Sequence, residues 1–277
     1  MLICQLTDLH LRPEGIPVCR VVETNMLAER AMRAVAAMAT PPDAVLLTGD
    51  VTECGLVAEY DLLATLLRRH LRMPVYAIPG NHDRRDNFRA RLAHLPGVIA
   101  DPQFAQYAIE SHAMRLVMLD TVVQGAGHGM LRPEQLAWLD RTLGEAPDRP
   151  TLIGMHHPPI ACGIGHMDQV NLRNSDDFSA VIARHAQVRR IVCGHHHRAI
   201  VGQVAHAIVT VSPSVAHQIE LDLRPEAPGA IVLEPPAYQL HRWDARTGLA
   251  SHTAYVDIAP GPYPFLTDPD YPGMGGG

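Results

Sequence analysis

The sequence predicts an α/β protein, and three observations support this prediction. Short apolar runs typical of buried strands alternate with segments whose apolar residues recur at helical spacing. A short polar motif directly follows five of the apolar runs. The chain has 277 residues, of which 47% are hydrophobic, so it can form one large domain, or one domain with a small appendage, around a sizeable core.

The predicted elements alternate regularly over about the first two hundred residues. Strands are predicted at residues 2–7, 44–48, 75–79, 106–109, 115–120, 151–155 and 190–193. Helices are predicted at residues 24–38, 56–69, 87–95, 133–143 and 176–186. Leu27, Ala31 and Ala34 mark the apolar face of the first helix, and Pro133 suits the first turn of the fourth.

The texture of the sequence changes after about residue 198. Strand-like runs at residues 199–204, 207–211, 230–233 and 253–258 are joined by proline-rich turns, and no helical pattern is evident there. We therefore expect a core domain at residues 1–198 and a β-rich cap at residues 199–257. Residues 258–277 form a tail whose glycine-rich end we expect to be disordered.

Composition limits the partners and the compartment. A formal charge of -6 argues against binding to a nucleic acid polymer, because no basic surface would release counterions. Five cysteines without a CxxC pair predict neither a disulfide framework nor a thiolate zinc site and suit a reducing compartment. No secretory signal is visible, and no apolar run approaches the ~20 residues that span a membrane. We expect a soluble cytoplasmic protein.

The polar motifs after the strands carry the functional information. They are Asp8-Leu9-His10, Gly49-Asp50, Gly80-Asn81-His82-Asp83, His156-His157 and Gly194-His195-His196-His197. Because sites in layered α/β proteins form where strands end, we expect these side chains to converge. Carboxylate, amide and imidazole groups together form a ligand set for a pair of divalent metal ions.

The first two motifs are weak alone but suit such a centre. Asp8 and His10 would point the same way on an extended chain and so reach one ion. Asp50 would bridge two ions, which at a spacing of ~3.5–4 Å need a shared anion. The structural alternatives are a turn aspartate for Asp8 and a helix N-cap for Asp50.

The third motif is the most specific. Asn81 offers a neutral oxygen ligand, His82 could donate a proton to a leaving oxygen, and Asp83 would orient that imidazole. The alternative is an exposed Asn/Gly turn. His156 completes the set together with His195 and His197, which would also point the same way. His157, directly before Pro158-Pro159, and His196 are left without an assigned role, and a structural role for His157 stays open.

The charge balance favours a phosphate ester as the ligand. Two divalent ions carry four positive charges and the carboxylates of Asp8 and Asp50 remove two, which leaves a site that attracts a phosphodiester monoanion. Because no thiolate ligand is needed, Fe²⁺, Zn²⁺, Mn²⁺ and Co²⁺ all remain candidates.

The ordered motifs resemble the calcineurin-like metallophosphoesterases over residues 1 to about 200. The wider contexts Thr7–His10, Pro79–Asp83, Met155–Pro159 and Cys193–His197 are similar to the class III cyclic nucleotide phosphodiesterases, and more so to the bacterial glycerophosphodiesterase branch. The resemblance implies a four-layer α/β/β/α sandwich. It implies two divalent ions with the following ligands: Asp8, His10, Asp50 and His197 for one ion, and Asp50, Asn81, His156 and His195 for the other.

The resemblance also implies an activity. A metal-bound hydroxide would attack the phosphorus of a small, glycerophosphodiester-like substrate, while His82 stabilises the transition state or protonates the leaving group. Asn81, His82 and, more weakly, His217 would contact the substrate. A cap that associates between subunits implies a homo-oligomer.

Other activities stay open at this point. A 3′,5′-cyclic nucleotide phosphodiesterase acting on cyclic AMP is the second choice, and phosphonate monoesters and phosphomonoesters are further candidate substrates. A non-catalytic scaffold of the same fold would have lost ligands, whereas the set here is intact. A β-lactamase-like dinuclear zinc hydrolase would need an HxHxDH run, which the sequence lacks.

Overall fold

The secondary structure follows the predicted alternation of strands and helices. The computed structural model describes residues 1–263, and the predicted disorder of the last residues lies outside that range. The helices are α1 (Thr24–Ala36), α2 (Val57–His70), α3 (Arg85–Arg91), α4 (Pro133–Gly144), α5 (Gly165–Asp168) and α6 (Ser175–Ile182). The strands are β1 (Leu2–Leu6), β2 (Ala44–Thr48), β3 (Val75–Ile78), β4 (Tyr107–Ile109), β5 (Arg115–Met118), β6 (Thr151–Gly154), β7 (Val188–Cys193), β8 (Ile200–Val204), β9 (Ala207–Val211), β10 (Gln218–Ile219), β11 (Ile231–Val232), β12 (Ala237–Asp244) and β13 (Gly248–Tyr255).

Two large sheets organise the molecule. The first has the strand order β13-β12-β1-β2-β3, and the second has the order β4-β5-β6-β7-β9-β8. Strands β1, β2 and β3 are parallel, and so are β5, β6, β7 and β9. Parallel strands end at one edge of their sheet, so the loops that carry the polar motifs leave each sheet on the same side.

The alternation of side chains along the strands produces four layers. In β2, Leu46 packs into the core between the sheets, where it meets Leu116 of the second sheet. Its neighbour Leu47 faces the opposite way, into a core shared with helices α1 and α2. In β5, Val117 likewise faces a third core shared with α4 and α6. The predicted four-layer α/β/β/α sandwich is therefore confirmed, with a period of two in each strand.

The predicted cap boundary at residue 198 does not coincide with a boundary between sheets. Strands β8 and β9 complete the second sheet, and β12 and β13 complete the first. Of the predicted cap, only β10 and β11 form a separate two-stranded sheet. The strand-like runs between proline-rich turns located β8, β9, β11 and part of β13. A local sequence pattern does not show which distant strand each of them pairs with. Any role of residues 199–257 in assembly stays a prediction.

The structure contains three elements that the sequence pattern did not predict, among them the two-residue strand β10. Strand β12 carries polar residues such as His241 and Arg242 and pairs antiparallel with β1, Leu2 opposite Arg242. Helix α5 is a single turn. None of the helices in residues 1–263 combines the length and apolar character that crossing a bilayer would require. The predicted cytoplasmic location stays a prediction.

Candidate metal centre

Backbone hydrogen bonds join the motif-bearing loops of the two sheets. The His10 N–H donates to the Asp50 carbonyl at 3.0 Å, which ties the loop after β1 to the loop after β2. The His195 N–H lies 3.1 and 3.2 Å from the two carboxylate oxygens of Asp8, which ties the second sheet to the first. Residues almost two hundred positions apart in the chain are thereby held against one another.

The backbone at the motifs is not extended, contrary to the geometry assumed from the sequence. The residues with positive φ include Asp8 (54°), His10 (48°), Asp50 (46°), His195 (72°) and His197 (50°). A left-handed conformation costs an L-residue roughly 1–2 kcal/mol. The convergence of these side chains is due to left-handed turns, and such strain concentrates at functional sites.

Two motif glycines allow the loops to approach closely. Gly49 has φ +95°, and a Cβ there would lie 2.3 Å from His156 Nδ1. A Cβ on Gly80 would lie 2.2 Å from Asp50 Oδ1 and 2.4 Å from the Asp50 backbone nitrogen. Any larger residue at either position would displace a predicted ligand, so the glycines belong to the site.

The first group of nitrogen donors is formed by His10 and His197, whose Nε2 atoms lie 3.1 Å apart. The Nδ1–H of His10 donates to the Glu53 carboxylate at 2.6 Å, and the Nδ1–H of His197 donates to the His217 carbonyl at 2.8 Å. With each Nδ1–H donating in this way, the two Nε2 atoms present lone pairs to each other whenever both rings are neutral. This arrangement is repulsive unless a cation or a proton lies between them.

The second group is centred on His156. Its Nδ1–H donates to the Thr48 carbonyl at 2.8 Å, which leaves Nε2 facing Asn81 Oδ1 at 3.1 Å and Asp50 Oδ2 at 3.4 Å. Burial favours the neutral imidazole, but the Asp50 charge outweighs burial and raises the pKa of His156 to about 9. A cluster of acceptors that holds a proton this firmly is one that attracts positive charge.

Asp50 lies between the two groups, with Oδ2 at 3.8 Å from His10 Nε2 and 3.4 Å from His156 Nε2. Burial opposes its ionisation, but His156 and His82 outweigh burial and hold the pKa of Asp50 well below its usual range. Asp8 is similar, because its neighbour His197 outweighs burial and lowers the pKa. Both carboxylates are ionised at neutral pH, which is the state that metal coordination requires.

His195 and His157 form the third part of the cluster, although the sequence motif did not identify His157 as a ligand. Within residues 1–263 the Nε2 atoms of both are buried without a hydrogen-bond partner, and the ring centroids lie 4.7 Å apart. Burial, together with neighbouring imidazoles, lowers the pKa of both well below the usual value, so both are neutral. Nitrogens of His156, His157 and His195 lie within 4.8 Å of one another, which makes His157 a further candidate ligand.

His82 lies at the edge of the cluster, with 39% of its side chain exposed. The backbone N–H of His82 donates to Asp50 Oδ1 at 2.8 Å, and the ring Nδ1–H donates to the Glu53 carbonyl at 2.9 Å. Burial favours the neutral ring, but Asp50 and Glu53 outweigh burial and raise the pKa of His82. It borders a cavity of about 350 Å³ that Asn81 and residues 124–127 also line. The ring can therefore offer a proton from Nε2 to a molecule in this cavity.

The prediction that Asp83 orients His82 is wrong, although the Asp83 charge does help to raise the pKa of His82. The Asp83 carboxylate is buried and points into the protein, where it accepts hydrogen bonds from the N–H groups of Val51, Thr52 and Gly80 and from the hydroxyls of Thr52 and Tyr60. Burial, with repulsion from Asp50, raises its pKa to about 6. Through these hydrogen bonds Asp83 braces the loops that carry Asp50 and Asn81. The prediction failed because residues adjacent in the chain need not face the same side.

Glu53 takes the position that Asp83 was expected to fill, and the sequence analysis missed it. Its carboxylate lies 2.6 Å from His10 Nδ1 and 3.4 Å from His82 Nδ1, so one anion contacts both imidazoles. The available signal was an acidic residue only three positions after Asp50. His217 also lies here, with its ring centroid 4.7 Å from that of His197, and its role in substrate binding stays a prediction.

The residues present fit divalent metal ions. The facing acceptors, the ionised carboxylates and the imidazole nitrogens are the donor set that Zn²⁺, Fe²⁺, Mn²⁺ and Co²⁺ bind. Groups of three such ligands that could hold an ion include Asp8, Asp50 and His156, and also His10, His197 and His217. The division of individual ligands between two ions stays a prediction.

Comparisons with known proteins relate the chain to phosphodiesterases and phosphatases. The chain is 33% identical to a probable glycerophosphodiester phosphodiesterase GpdQ of Arcobacter nitrofigilis, over 97% of this chain and 98% of that protein. It is 37% identical to a probable cyclic nucleotide phosphodiesterase of Rhodopseudomonas palustris, over 84% of this chain and 85% of that protein. A dimetal phosphatase from Danio rerio shares the fold, with a TM-score of 0.64 at 16% identity over 93% of this chain and 99% of that chain. The family model for the calcineurin-like phosphoesterases matches residues 1–199, and the chain therefore belongs to the calcineurin-like phosphoesterase family.

Proposed function

We propose that this protein hydrolyses small phosphodiesters of the glycerophosphodiester class at a dinuclear metal centre. The observation that carries the proposal is the clustering of buried nitrogen and oxygen acceptors around Asp50, beside a cavity that His82 borders. The 33% identity to a probable glycerophosphodiester phosphodiesterase along nearly the whole chain supports the substrate class.

The proposed ligands divide between two ions. Asp8, His10, Asp50 and His197 would hold one, and Asp50, Asn81, His156 and His195 would hold the other. When bound, two divalent cations would supply Lewis acidity to the phosphoryl oxygens and favour ionisation of water near neutral pH. The Nδ1–H groups of His10, His156 and His197 donate to the Glu53 carboxylate, the Thr48 carbonyl and the His217 carbonyl, in that order. These bonds keep each Nε2 directed into the centre.

His82 is the proposed general acid. Its Nδ1–H is held by the Glu53 carbonyl at 2.9 Å, so a proton on Nε2 can pass to the leaving alkoxide. Asp50 and Glu53 outweigh burial and raise the pKa of His82, which favours the imidazolium form that a general acid requires. Asn81 lines the same cavity and would contact the substrate as well as an ion.

The central experiment measures hydrolysis of bis-p-nitrophenyl phosphate with added Mn²⁺ or Co²⁺. The Asp50→Ala and Asn81→Ala variants should each lose activity on the order of a hundredfold or more, because a metal ion stabilises the transition state by several kcal/mol. Asp177→Ala, an exposed residue on α6, is the matched control and should leave the rate unchanged. Wild-type rates in the Asp50 and Asn81 variants would refute the proposal.

A cyclic nucleotide phosphodiesterase is the second candidate, because the 37% identity to a probable cyclic nucleotide phosphodiesterase favours it. A panel of glycerophosphoethanolamine, cyclic AMP, a phosphonate monoester and a phosphomonoester separates the alternatives by kcat/KM. We expect the highest value for the glycerophosphodiester. A clear preference for cyclic AMP would establish the second candidate, and a clear preference for the phosphomonoester would defeat both.

We also propose that the protein self-associates through the β10–β11 sheet and its flanks. Leu221, Leu223 and Leu233 are 59%, 60% and 66% exposed there, and exposed apolar groups of this kind mark interaction surfaces. Light scattering on the purified protein should give more than one subunit, and a double Leu221→Asp, Leu233→Asp variant should give one. A monomeric wild type would disprove this assembly.

A further inference from the structure

A second cluster of metal-binding groups lies outside the proposed dinuclear centre. It consists of Cys162, Asp168 and His196, whose ligand atoms lie within 4.8 Å of one another. Cys162 lies in the loop before α5, Asp168 is the last residue of α5, and His196 lies between two proposed ligands of the dinuclear centre. None of the three side chains has a part in the proposed hydrolysis.

The hydrogen bonds of Asn171 define the tautomer of His196. The Asn171 amide nitrogen donates to the Ile160 carbonyl at 2.8 Å, so its Oδ1 must be the atom that faces His196 Nε2 at 2.6 Å. His196 therefore donates from Nε2 and carries its lone pair on Nδ1. That lone pair faces the Cys162 sulfur at 3.2 Å. An imidazole oriented by a hydrogen bond from its other nitrogen is the usual arrangement of a metal-bound histidine.

Asp168 brings its carboxylate to the same place. Its two oxygens accept the N–H groups of Cys162 at 2.8 Å and Gly163 at 2.9 Å, which folds the loop so that thiol and carboxylate are neighbours. Cys162 is partly exposed and lines two cavities, of about 620 and about 530 Å³. An ion and a water molecule can reach the sulfur from either cavity.

We propose that Cys162, Asp168 and His196 form a separate mononuclear site for a thiophilic divalent cation such as Zn²⁺. Sulfur and nitrogen ligands of a tetrahedral zinc ion are about 3.6 Å apart, so the observed 3.2 Å needs only a small adjustment. Water from the cavity supplies the fourth ligand. The absence of a CxxC pair had argued against thiolate coordination, but this site uses one thiolate and two other ligands.

The balance of charge and protons is simple. When the sulfur–metal bond forms, the Cys162 thiol releases its proton to solvent and becomes a thiolate. The thiolate and the Asp168 carboxylate together neutralise the dication, which suits a half-buried site. The ion would join the loop before α5 to the loop that carries His195 and His197, and so stabilise the position of both.

Cobalt provides a selective test, because thiolate ligands give Co²⁺ an intense near-ultraviolet charge-transfer band and the proposed dinuclear centre contains no thiolate. The band should appear when wild-type protein is titrated with Co²⁺, and it should persist in Asp50→Ala, in which hydrolysis is lost. It should disappear in Cys162→Ser and remain in the control Cys19→Ser, which replaces an exposed cysteine outside the cluster. Metal analysis should find one cation fewer per chain in Cys162→Ser than in the wild type.

A second readout uses the unmodified protein. Zn²⁺ should slow alkylation of Cys162 by iodoacetamide at least tenfold, as mapped by mass spectrometry, and Asp168→Asn should weaken this protection. No band in the wild type, a band that survives Cys162→Ser, or alkylation of Cys162 that Zn²⁺ does not slow would overturn the proposal. The contact would then be an S–H···N hydrogen bond only. The proposal of a second metal site rests on the proposed function only for the location of the dinuclear centre. Because the cobalt band is also measured in Asp50→Ala, a missing band can be distinguished from a missing hydrolytic activity.

Discussion

Two regions of the sandwich bury polar groups in opposite ways. Between the sheets, the Gln5 amide donates to Thr48 Oγ1 and to the Cys193 carbonyl, both at 2.9 Å. Gln5 Oε1 accepts the Nε2–H of His241 at 3.1 Å, and His241 Nδ1 accepts the Ser251 hydroxyl at 2.7 Å. Each side-chain polar atom of Gln5 and His241 therefore has a hydrogen-bond partner. At the metal centre, by contrast, acceptors face acceptors.

Burial does not separate the two regions, because His241 and His156 are both fully buried. What separates them is whether each buried hydrogen-bond acceptor faces a donor. A buried group whose bonds are all made within the protein contributes to the fold, whereas facing lone pairs raise the energy until a cation joins them. The contrast between these two networks therefore supports a cation site around Asp50 independently of the sequence motifs.

The largest effect that tests the active region should come from His82→Ala. Loss of a general acid lowers the rate by about 10²–10⁴-fold, and the loss depends on the leaving group. We expect a large decrease in kcat for a glycerophosphodiester, whose leaving alkoxide needs a proton, and a much smaller one for bis-p-nitrophenyl phosphate. His252→Ala, an exposed histidine on β13, is the control. An equal decrease for both substrates would mean that His82 only binds the substrate.

Gly80→Ala should be the next most damaging change. The added Cβ would lie 2.4 Å from the Asp50 backbone nitrogen and 2.7 Å from His156 Nε2, so both ligands must move. Displacement of reacting groups by about 1 Å can lower the rate about 100-fold. Steady-state kinetics and metal content should both decrease. Gly144→Ala, at the end of α4 where a Cβ meets nothing within 4 Å, should have wild-type activity.

The sequence could predict which residues converge, because that depends on strand order along the chain and on parallel pairing. Apolar runs and the polar residues after them located Asp8, Asp50 and His156 at one edge of the sandwich. Strand β12 escaped prediction because its alternation includes His241, which is buried although it is polar. Its burial depends on Gln5, a partner 236 positions away that no local pattern reveals.

The direction of individual side chains could not be predicted. Asp8 and His10 were assigned to one side by assuming an extended chain, but both adopt a left-handed conformation that only the packed loops impose. Asp83 was expected to support His82, whereas Glu53 lies there. The choice between them depends on how two loops fold against each other, and sequence spacing contains no information on that.

Glu53→Gln tests how far the active region depends on this carboxylate. Loss of a hydrogen-bonding partner behind a metal ligand lowers metal affinity or activity about 10–100-fold. Because Glu53 helps to raise the pKa of His82, its removal should lower that pKa. The decrease in activity at high pH, where His82 loses its proton, should therefore begin at a lower pH. A pH–rate profile with an unchanged basic limb would show that Glu53 does not act on His82.

His241→Gln tests the complementary region and should have the smallest effect. Burial, with the nearby charge of Arg190, lowers the pKa of His241 to about 3. The unfolded imidazole has a pKa of about 6.5, so below that pH the unfolded chain binds the proton and the folded chain does not. The stabilisation from the neutral ring is complete above pH 6.5 and is lost as the pH falls toward 3.

Urea unfolding of the metal-free protein at pH 7 and pH 5 measures the contribution of His241 to the free energy of unfolding. From pH 7 to pH 5 the wild type should lose about 2 kcal/mol more unfolding free energy than His241→Gln, since each pKa unit corresponds to about 1.4 kcal/mol. Other titrating groups are common to both proteins and cancel in the difference. Parallel losses would mean that His241 binds a proton in the folded state. The network between the sheets would then share the cation affinity of the metal centre, and complementarity of donors and acceptors would no longer distinguish the two regions.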